Sequence, residues 1–424
     1  MNVAAPKDLT TSPTKKRVVI AGGGYAGMTL AVTLAHRMRP SDDIEIVLVE
    51  SRPYQQALSE LDLVAAGTSR PQFAELWHAD IFRGLPITCV YERLECVEAA
   101  QHFVTVGPRL EPGDKIPYWR LVVATGAIAT TPPVPGLKEH AVTMWCVPDA
   151  HELQRRIEKQ FKIAAMLPER SDREAALSFT VVGGGATGVE IIGTIASELP
   201  AMIRRAGLDP TEMKLRLIEG RSDILFDLPE AQRLRARRRL AKMGVEVVLG
   251  EKLTKVEDGV AYVESGRAIP SPVLVWCGGA HADPDAVRWG LPLDNSGRLV
   301  CDSVLKAQGA DDVYVIGDVA AFKDPKNGRV LPMLAQFAIR EAEQAAISIL
   351  SEARGGTPET FAPHMHGEFV SVGPNWGVGW MFKLNVSGWF AIVMKRLTYV
   401  MYWLQVGSFR LASRRTRQML RLRR

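Results

Sequence analysis

RVVIAGGGYAG, residues 17–27, is the stretch whose reading decides the fold. Arg17 to Ala21 has the make-up of a short buried strand, and Gly22, Gly24 and Gly27 follow at G-x-G-x-x-G spacing, ahead of a helical pattern from Tyr25 to Arg37. The first glycine permits a tight turn, the second lets backbone approach a pyrophosphate, and the third lets helix pack on strand. The helix N-terminus then faces the phosphates. A second apolar run, Ile44 to Val49, ends in Glu50, whose carboxylate can accept hydrogen bonds from a ribose. A glycine-rich turn that serves only close packing is the plainer alternative; strand, helix and acid together favour a dinucleotide.

The pattern returns. Phe179 to Val182 reads as a strand, Gly183, Gly185 and Gly188 repeat the spacing, Val189 to Leu199 reads as a helix, and Lys214 to Ile218 is a strand ending in Glu219. Two such units predict an α/β chain of two Rossmann-like dinucleotide-binding domains, the architecture of a flavin enzyme fed by a nicotinamide. Glu219 can bond both ribose hydroxyls and repels a 2′-phosphate, which favours NADH over NADPH; Arg221, two residues on, softens that preference.

Between and after these loops, several strand ends offer close approach to a cofactor. Leu121 to Gly126 ends in the small-residue turn Ala124-Thr125-Gly126, Val273 to Trp276 leads into Cys277-Gly278-Gly279, and Val313 to Ile316 leads into Gly317-Asp318, an acid able to bond a polar cofactor chain. A helix is predicted from about Leu334 to Ala353 with Gln336 in its first turn, where an electron-rich flavin or a quinone carbonyl could sit. Asp149 to Phe161 reads as a helix, Pro168 to Glu174 as a charged linker, and the arginines of Pro229 to Met243 as a solvated face rather than a nucleic-acid patch.

Composition excludes other classes. Five cysteines without C-x-x-C or C-x4-C spacing argue against a disulfide framework or a redox dithiol and suit a reducing cytoplasm. His364 and His366 lack companion ligands, so no metal site is expected. Residues 1–16 read as a mobile tail without a signal-peptide core, and no run of about 20 uncharged apolar residues suggests a spanning helix. The net charge of +5 conceals a division: all ten Lys and Arg after Glu368 stand without one acid among them. Ser387 to Leu411 patterns as an amphipathic helix with Phe390, Val393, Met394, Leu397, Met401 and Leu404 on one face, and Lys395, Thr398, Tyr402 and Gln405 on another. Lys395 and Arg396 interrupt the apolar run, so residues 387–424 are expected to lie on an anionic membrane surface rather than cross it. Trp389, Tyr399, Tyr402 and Trp403 suit that interface, and each basic residue there would contribute about 1 kcal/mol. A helix packed on the body is the competing reading, and nucleic acid a weaker one.

The chain resembles the type II NADH:quinone oxidoreductases, single-chain non-proton-pumping NADH dehydrogenases of respiratory membranes. Carriers of the resemblance over residues 17–411 are VVIAGGGYAG, LVVATG, VVGGGATGVE, LIEG, LPE followed by MGVEV, VWCGG, GRLVCD, VYVIGD and LAQFA, with the aromatic and basic C-terminal stretch. The resemblance implies FAD on the first glycine loop with Glu50 and Asp318, and NADH on the second with Glu219. It also implies Glu190 near nicotinamide and flavin, Ala335 and Gln336 bordering the flavin ring and a quinone pocket, and a homodimer at the cytoplasmic face of the membrane. The NAD unit, residues 151–289, would be inserted in an FAD unit of residues 17–150 and 290–355, followed by a membrane-associating region, 356–424. Two departures touch the acceptor side: Arg340 replaces the family's frequent second glutamine, and Leu58-Ser59-Glu60-Leu61-Asp62 replaces a P-L-L-Y-like run. The alternatives are a soluble reductase of a ferredoxin-like protein and a low-turnover flavin redox sensor.

Overall fold

Two sheets built on one plan organise the computed structural model, which describes residues 9–11, 13–107, 113–407 and 409–421. The first sheet runs 306–307, 310–315, 120–123, 16–21, 44–49, 87–90, parallel except for its antiparallel edge strand 306–307. The second runs 141–143, 273–276, 178–182, 214–219, 245–249, parallel throughout. Strands 16–21 and 178–182 hold the same place in each, as do 44–49 and 214–219. Every strand of the second sheet falls between residues 141 and 276, inside the sequence span of the first. Helices cover both faces of such sheets, which is why Val18 to Ala21 is apolar without alternation and why Phe179 to Val182, apolar but for Thr180, is buried throughout.

The principal helices are α1 (Tyr25–Arg37), α2 (Leu61–Ala65), α3 (Val147–Ala164), α4 (Ala186–Arg205), α5 (Glu230–Lys242), α6 (Ala335–Ala353), α7 (Trp389–Val406) and α8 (Phe409–Arg421). Local signals place their ends. Gly24 and Gly185 are the N-caps of α1 and α4, and His36 and Arg37 lie in the last turn of α1, where cations complement the helix dipole. At α3, the Asp149 carboxylate accepts the N–H groups of Trp145 (2.8 Å) and Cys146 (3.0 Å), satisfying donors that the helix itself leaves free. Met28 and Leu34 of α1 and Ala342, Ala346 and Ile349 of α6 share one core with the first sheet. Ile191, Ile192 and Ile195 of α4 share another with α3 and the second sheet. Among the described residues only α4 is long and apolar enough to cross a membrane, and its apolar side chains are committed to that core.

Several expectations change. Arg170–Ala176, read as part of a linker, is a short helix, held by an Arg170–Glu174 pair one turn apart (3.0 Å) and by Arg173 on Glu212 (2.7 Å). Residues 1–8 and 12 of the expected tail lie outside the described residues. Leu9 is buried, and its carbonyl accepts from Arg17 (2.7 Å), so the chain is anchored well before residue 17. The arginine-rich α5 is not only a solvated face: Arg235 donates to Ser387 Oγ (2.7 Å) and Arg239 lies over the Trp376 ring, joining the helix to the C-terminal region.

That region departs most. A three-stranded antiparallel sheet, 367–371, 377–381 and 384–388, precedes α7 and had no counterpart in the sequence reading. The two faces of α7 divide only in part as the periodicity predicts: Lys395 and Tyr402 of the expected polar face turn inward, while Thr398 and Gln405 stay exposed. Lys395 pairs with Glu190, Arg396 donates to the Pro374 carbonyl (2.8 Å), and the Tyr402 hydroxyl donates to Gln55 (2.8 Å). Tyr402 and Trp403 are therefore core residues rather than interface anchors. Phe390, Val393, Leu397, Met401 and Leu404 face outward, with Trp389 70% and Met401 61% exposed. Arg414 and Arg415 are also taken up by the body, through Asp80 (2.6 Å) and the Phe73 carbonyl (2.6 Å). Among the described side chains, Lys395, Arg396, Arg414 and Arg415 thus have protein partners; Arg423 and Arg424 lie outside the described residues.

Candidate active site

The two glycine loops use the same mechanics. Gly22 (φ +109°) and Gly183 (φ +112°) adopt a backbone conformation closed to most side chains. A Cβ on Gly22 would strike the Ala124 carbonyl, and one on Gly183 the Cys277 carbonyl. Gly27 lies against the carbonyl of Gly22, and Gly188 against that of Gly183, so the third glycine brings helix onto strand. Around Gly24 and Gly185 there is nothing within 4 Å of a built Cβ. The second glycine in each loop therefore guards open space at a helix N-terminus.

The strand-end acids are also alike. Glu50 accepts from the Gly23 N–H (2.8 Å) and the Arg52 N–H (3.1 Å), and Glu219 from Gly184 (2.5 Å) and Arg221 (2.8 Å). Each carboxylate ties its own loop in place while keeping lone pairs for a guest.

A cavity of about 560 Å³ lies where the two units meet. On its wall are Gly24, Glu50, Ala124, Thr125, Gly126, Glu190, Gly317, Asp318, Ala335 and Gln336 from the sequence reading. Gly22 and Gly27 shape the turn beneath it. Gly183, Gly185, Gly188 and Glu219 belong to the second loop and are not on this wall. Gly278 packs against the Trp276 indole, and its neighbour Gly279 takes the place on the wall. The Thr125 hydroxyl and the Gln55 amide nitrogen are buried without a hydrogen-bond partner. Both residues line the cavity, so donors await a polar guest there.

Charge is concentrated on one side. Glu190, in α4, accepts from the Ser371 N–H (2.9 Å) and pairs with Lys395, which also donates to Ser371 Oγ (3.0 Å). Desolvation alone would depress the ammonium, but Glu190, Tyr399 and Asp62 outweigh it and hold Lys395 charged. Burial raises Asp318, against the pull of Arg298, and raises Glu368, helped by Asp227 and Glu190. Behind Asp318, Glu341 accepts the Gly317 N–H (2.6 Å) and so fixes the turn that presents Asp318. Gln336 donates to the Gly367 carbonyl (2.6 Å), joining α6 to the C-terminal sheet. Arg340, in the place of the second glutamine, lies against the His364 ring, while His366 packs on Phe382.

Lys395, Tyr399, Glu368 and Gln55 had no role in the sequence reading of the site, and Asp62 entered it only as the end of the run on the acceptor side. For Lys395 the available signal was a cation on the polar face of a helix otherwise apolar, a pattern that membrane surfaces and buried partners share.

The family description "Pyridine nucleotide-disulphide oxidoreductase" matches residues 16–342. The chain belongs to the pyridine nucleotide-disulphide oxidoreductase family. Within that family it is 27% identical over 403 residues to proteins of Staphylococcus aureus strains MSSA476 and NCTC 8325, both named "Type II NADH:quinone oxidoreductase", covering 94% of this chain and 98% of each. Its fold matches NDH2 of Plasmodium falciparum, solved in complex with NADH, at TM-score 0.84 with 15% identity over 96% of this chain and 98% of that one. It also matches the sulfide:quinone oxidoreductase of Aquifex aeolicus at TM-score 0.75 with 17% identity, over 92% of each chain. The family's disulfide chemistry needs paired cysteines. Among the described residues only Cys277 is on the cavity wall, and burial pushes its thiol up to about 12, which leaves it protonated and alone.

Proposed function

We propose that the protein is an FAD-dependent enzyme that oxidises NADH and reduces a membrane quinone. The observation that carries this reading is the convergence, on one cavity, of the first glycine loop, the first turn of α6 and the inner face of α7. FAD, when bound, accepts a hydride from NADH and gives up two electrons to the quinone. The fit of FAD to this chain rests on the open space at Gly24, the Glu50 carboxylate and the unpartnered polar atoms of Thr125 and Gln55.

Each residue then has a task. Gly24 and the N-terminus of α1 receive the phosphates, Glu50 the ribose, and Asp318, held by Glu341, a polar stretch of the cofactor. Gly185 and the N-terminus of α4 receive NADH, with Glu219 repelling a 2′-phosphate. The domains are residues 17–150 and 290–355 for FAD, 151–289 for NADH, and 356–424 for the membrane. Ala335 and Gln336 border the acceptor side, and Glu190 handles a proton there with Lys395 as its fixed countercharge.

The outward row on α7 supports peripheral binding: an apolar helix face this exposed is suited to the acyl boundary of a bilayer, and a quinone arrives from that side. Anaerobic mixing of the yellow protein with NADH or NADPH, then with a menaquinone or ubiquinone analogue, tests the whole reading. Fast bleaching by NADH and fast recovery with quinone are expected; a flavin that recovers with no quinone sinks it.

A further inference from the structure

Reduction of a quinone by NADH consumes a proton from water: NADH + H⁺ + quinone gives NAD⁺ + quinol. The hydride carries both electrons and one proton, so the second proton must come from solvent to the acceptor side of the cavity where the two units meet.

We propose that Asp62 admits this proton and passes it inward to Glu190 beside Lys395, a route that rests on the quinone-reductase reading above. The sequence of α4 carries it. Along that helix Glu190, Thr194 and Glu198 recur at four-residue steps and form a row on one face about 12 Å long, beside Thr187, Ser197, Arg204 and Arg205. Glu190 is on the wall of the central cavity, and Glu198 is on the wall of a second cavity of about 720 Å³, whose wall also includes the exposed Ala201 and Arg205. Asp62, from α2, closes on the middle of the row and accepts from the Thr194 hydroxyl (2.7 Å). Lys395 and Tyr399 line both cavities, so only the thickness of a side chain divides them. A third cavity, about 190 Å³ and roomy enough for water, has both Asp62 and Glu190 on its wall.

The groups facing Asp62 are Glu190 and Glu198 with Arg205 from α4, Glu60 from its own segment, and Lys395, Arg396 and Tyr399 from α7; Arg415 of α8 faces Glu60. Burial and then Glu190 push the Asp62 carboxyl up to about 6, against Lys395 and Thr194. Burial and then Asp62 push Glu60 up to about 7, against Arg415 and Lys395. Carboxyls held in this range exchange protons near neutral pH instead of remaining charged. Protonated Asp62 releases its proton through water in the third cavity to the Glu190 carboxylate, which gives it to a quinone oxygen as the electron pair arrives. Asp62 then regains a proton from the outer cavity, past Glu60.

Asp62→Asn retains the acceptor for Thr194 and removes only the titration. In the FAD-loaded enzyme, stopped-flow mixing separates flavin bleaching by NADH, which draws no proton from solvent, from recovery with a soluble ubiquinone analogue. For D62N the expected result is recovery slowed by about tenfold or more relative to bleaching, with an enlarged solvent deuterium effect. The wild-type fall in recovery as pH rises through about 6 to 7 is lost in D62N, while Asp62→Glu restores both rate and profile. Recovery in D62N with the wild-type rate and pH profile overturns the route, as does an equal loss in both half-reactions. A wild-type flavin that no quinone reoxidises overturns the parent reading instead.

Discussion

Alanine at Gly24, Gly27 and Gly185 should separate folding from cofactor binding and one pocket from the other. At Gly27 the new Cβ overlaps the Gly22 carbonyl, backbone against backbone, and relief requires moving α1 off its strand. Overpacking of this kind costs about 3 kcal/mol or more. At Gly24 the Cβ meets nothing in the protein. Its cost to the FAD-free fold is that of replacing glycine at an N-cap, roughly 0.5–1 kcal/mol, or a few degrees in melting temperature. The same methyl occupies the space a pyrophosphate needs. Losing one backbone bond to a charged oxygen, about 1.5–3 kcal/mol, weakens FAD roughly tenfold to a hundredfold. Gly185→Ala should leave the protein yellow and raise the KM for NADH by a similar factor. Urea unfolding of the FAD-free protein, quenching of flavin fluorescence on titration, and initial rates against NADH give the three readouts. Wild-type FAD affinity in G24A, or wild-type stability in G27A, refutes the reasoning.

Glu341 titrates with a definite sign. Its carboxyl is pushed up to about 8 by burial, against the Gly317 N–H. The folded chain therefore binds that proton more tightly than the unfolded chain, and stability falls as pH rises from the ordinary glutamate range toward 8. Glu341→Gln, still an acceptor for Gly317, should gain about 2–4 kcal/mol on wild type between pH 5 and pH 8, read from urea midpoints; parallel profiles argue against it. A double-mutant cycle of Glu190→Gln and Lys395→Met should show a coupling of about 1–3 kcal/mol in stability, whereas additive losses would mean that the pair is not formed in solution. Leu397→Asp with Met401→Asp should abolish sedimentation with anionic phosphatidylglycerol vesicles while changing unfolding free energy by no more than about 0.5 kcal/mol per site. Unchanged sedimentation removes the outer face of α7 from membrane binding.

How much was legible depends on the range of the interaction. The glycine loops, Glu50, Glu219 and the Gly317-Asp318 turn are short-range grammar: steric demands within a few residues dictate glycine at a positive φ, and an acid at a strand end is read from the strand itself. The apolar and polar faces of α7 were legible in part for the same reason. Periodicity, however, does not say which face meets the body. Lys395 reads as a surface cation until Glu190, 205 residues away, is brought beside it. Arg415 likewise reads as a membrane cation until the carbonyl of Phe73 accepts from it.

The sequence by itself determined that this chain folds as two dinucleotide units, because the spacing of glycines, strands and acids repeats within each one and needs no distant contact. Only the tertiary structure decided that the polar face of the last long helix closes the active cavity while its apolar face turns outward, and that Asp62 meets Thr194 on the row leading to Glu190. Buried charge is stable only beside its partner, and which residue becomes that partner is a property of the packed chain.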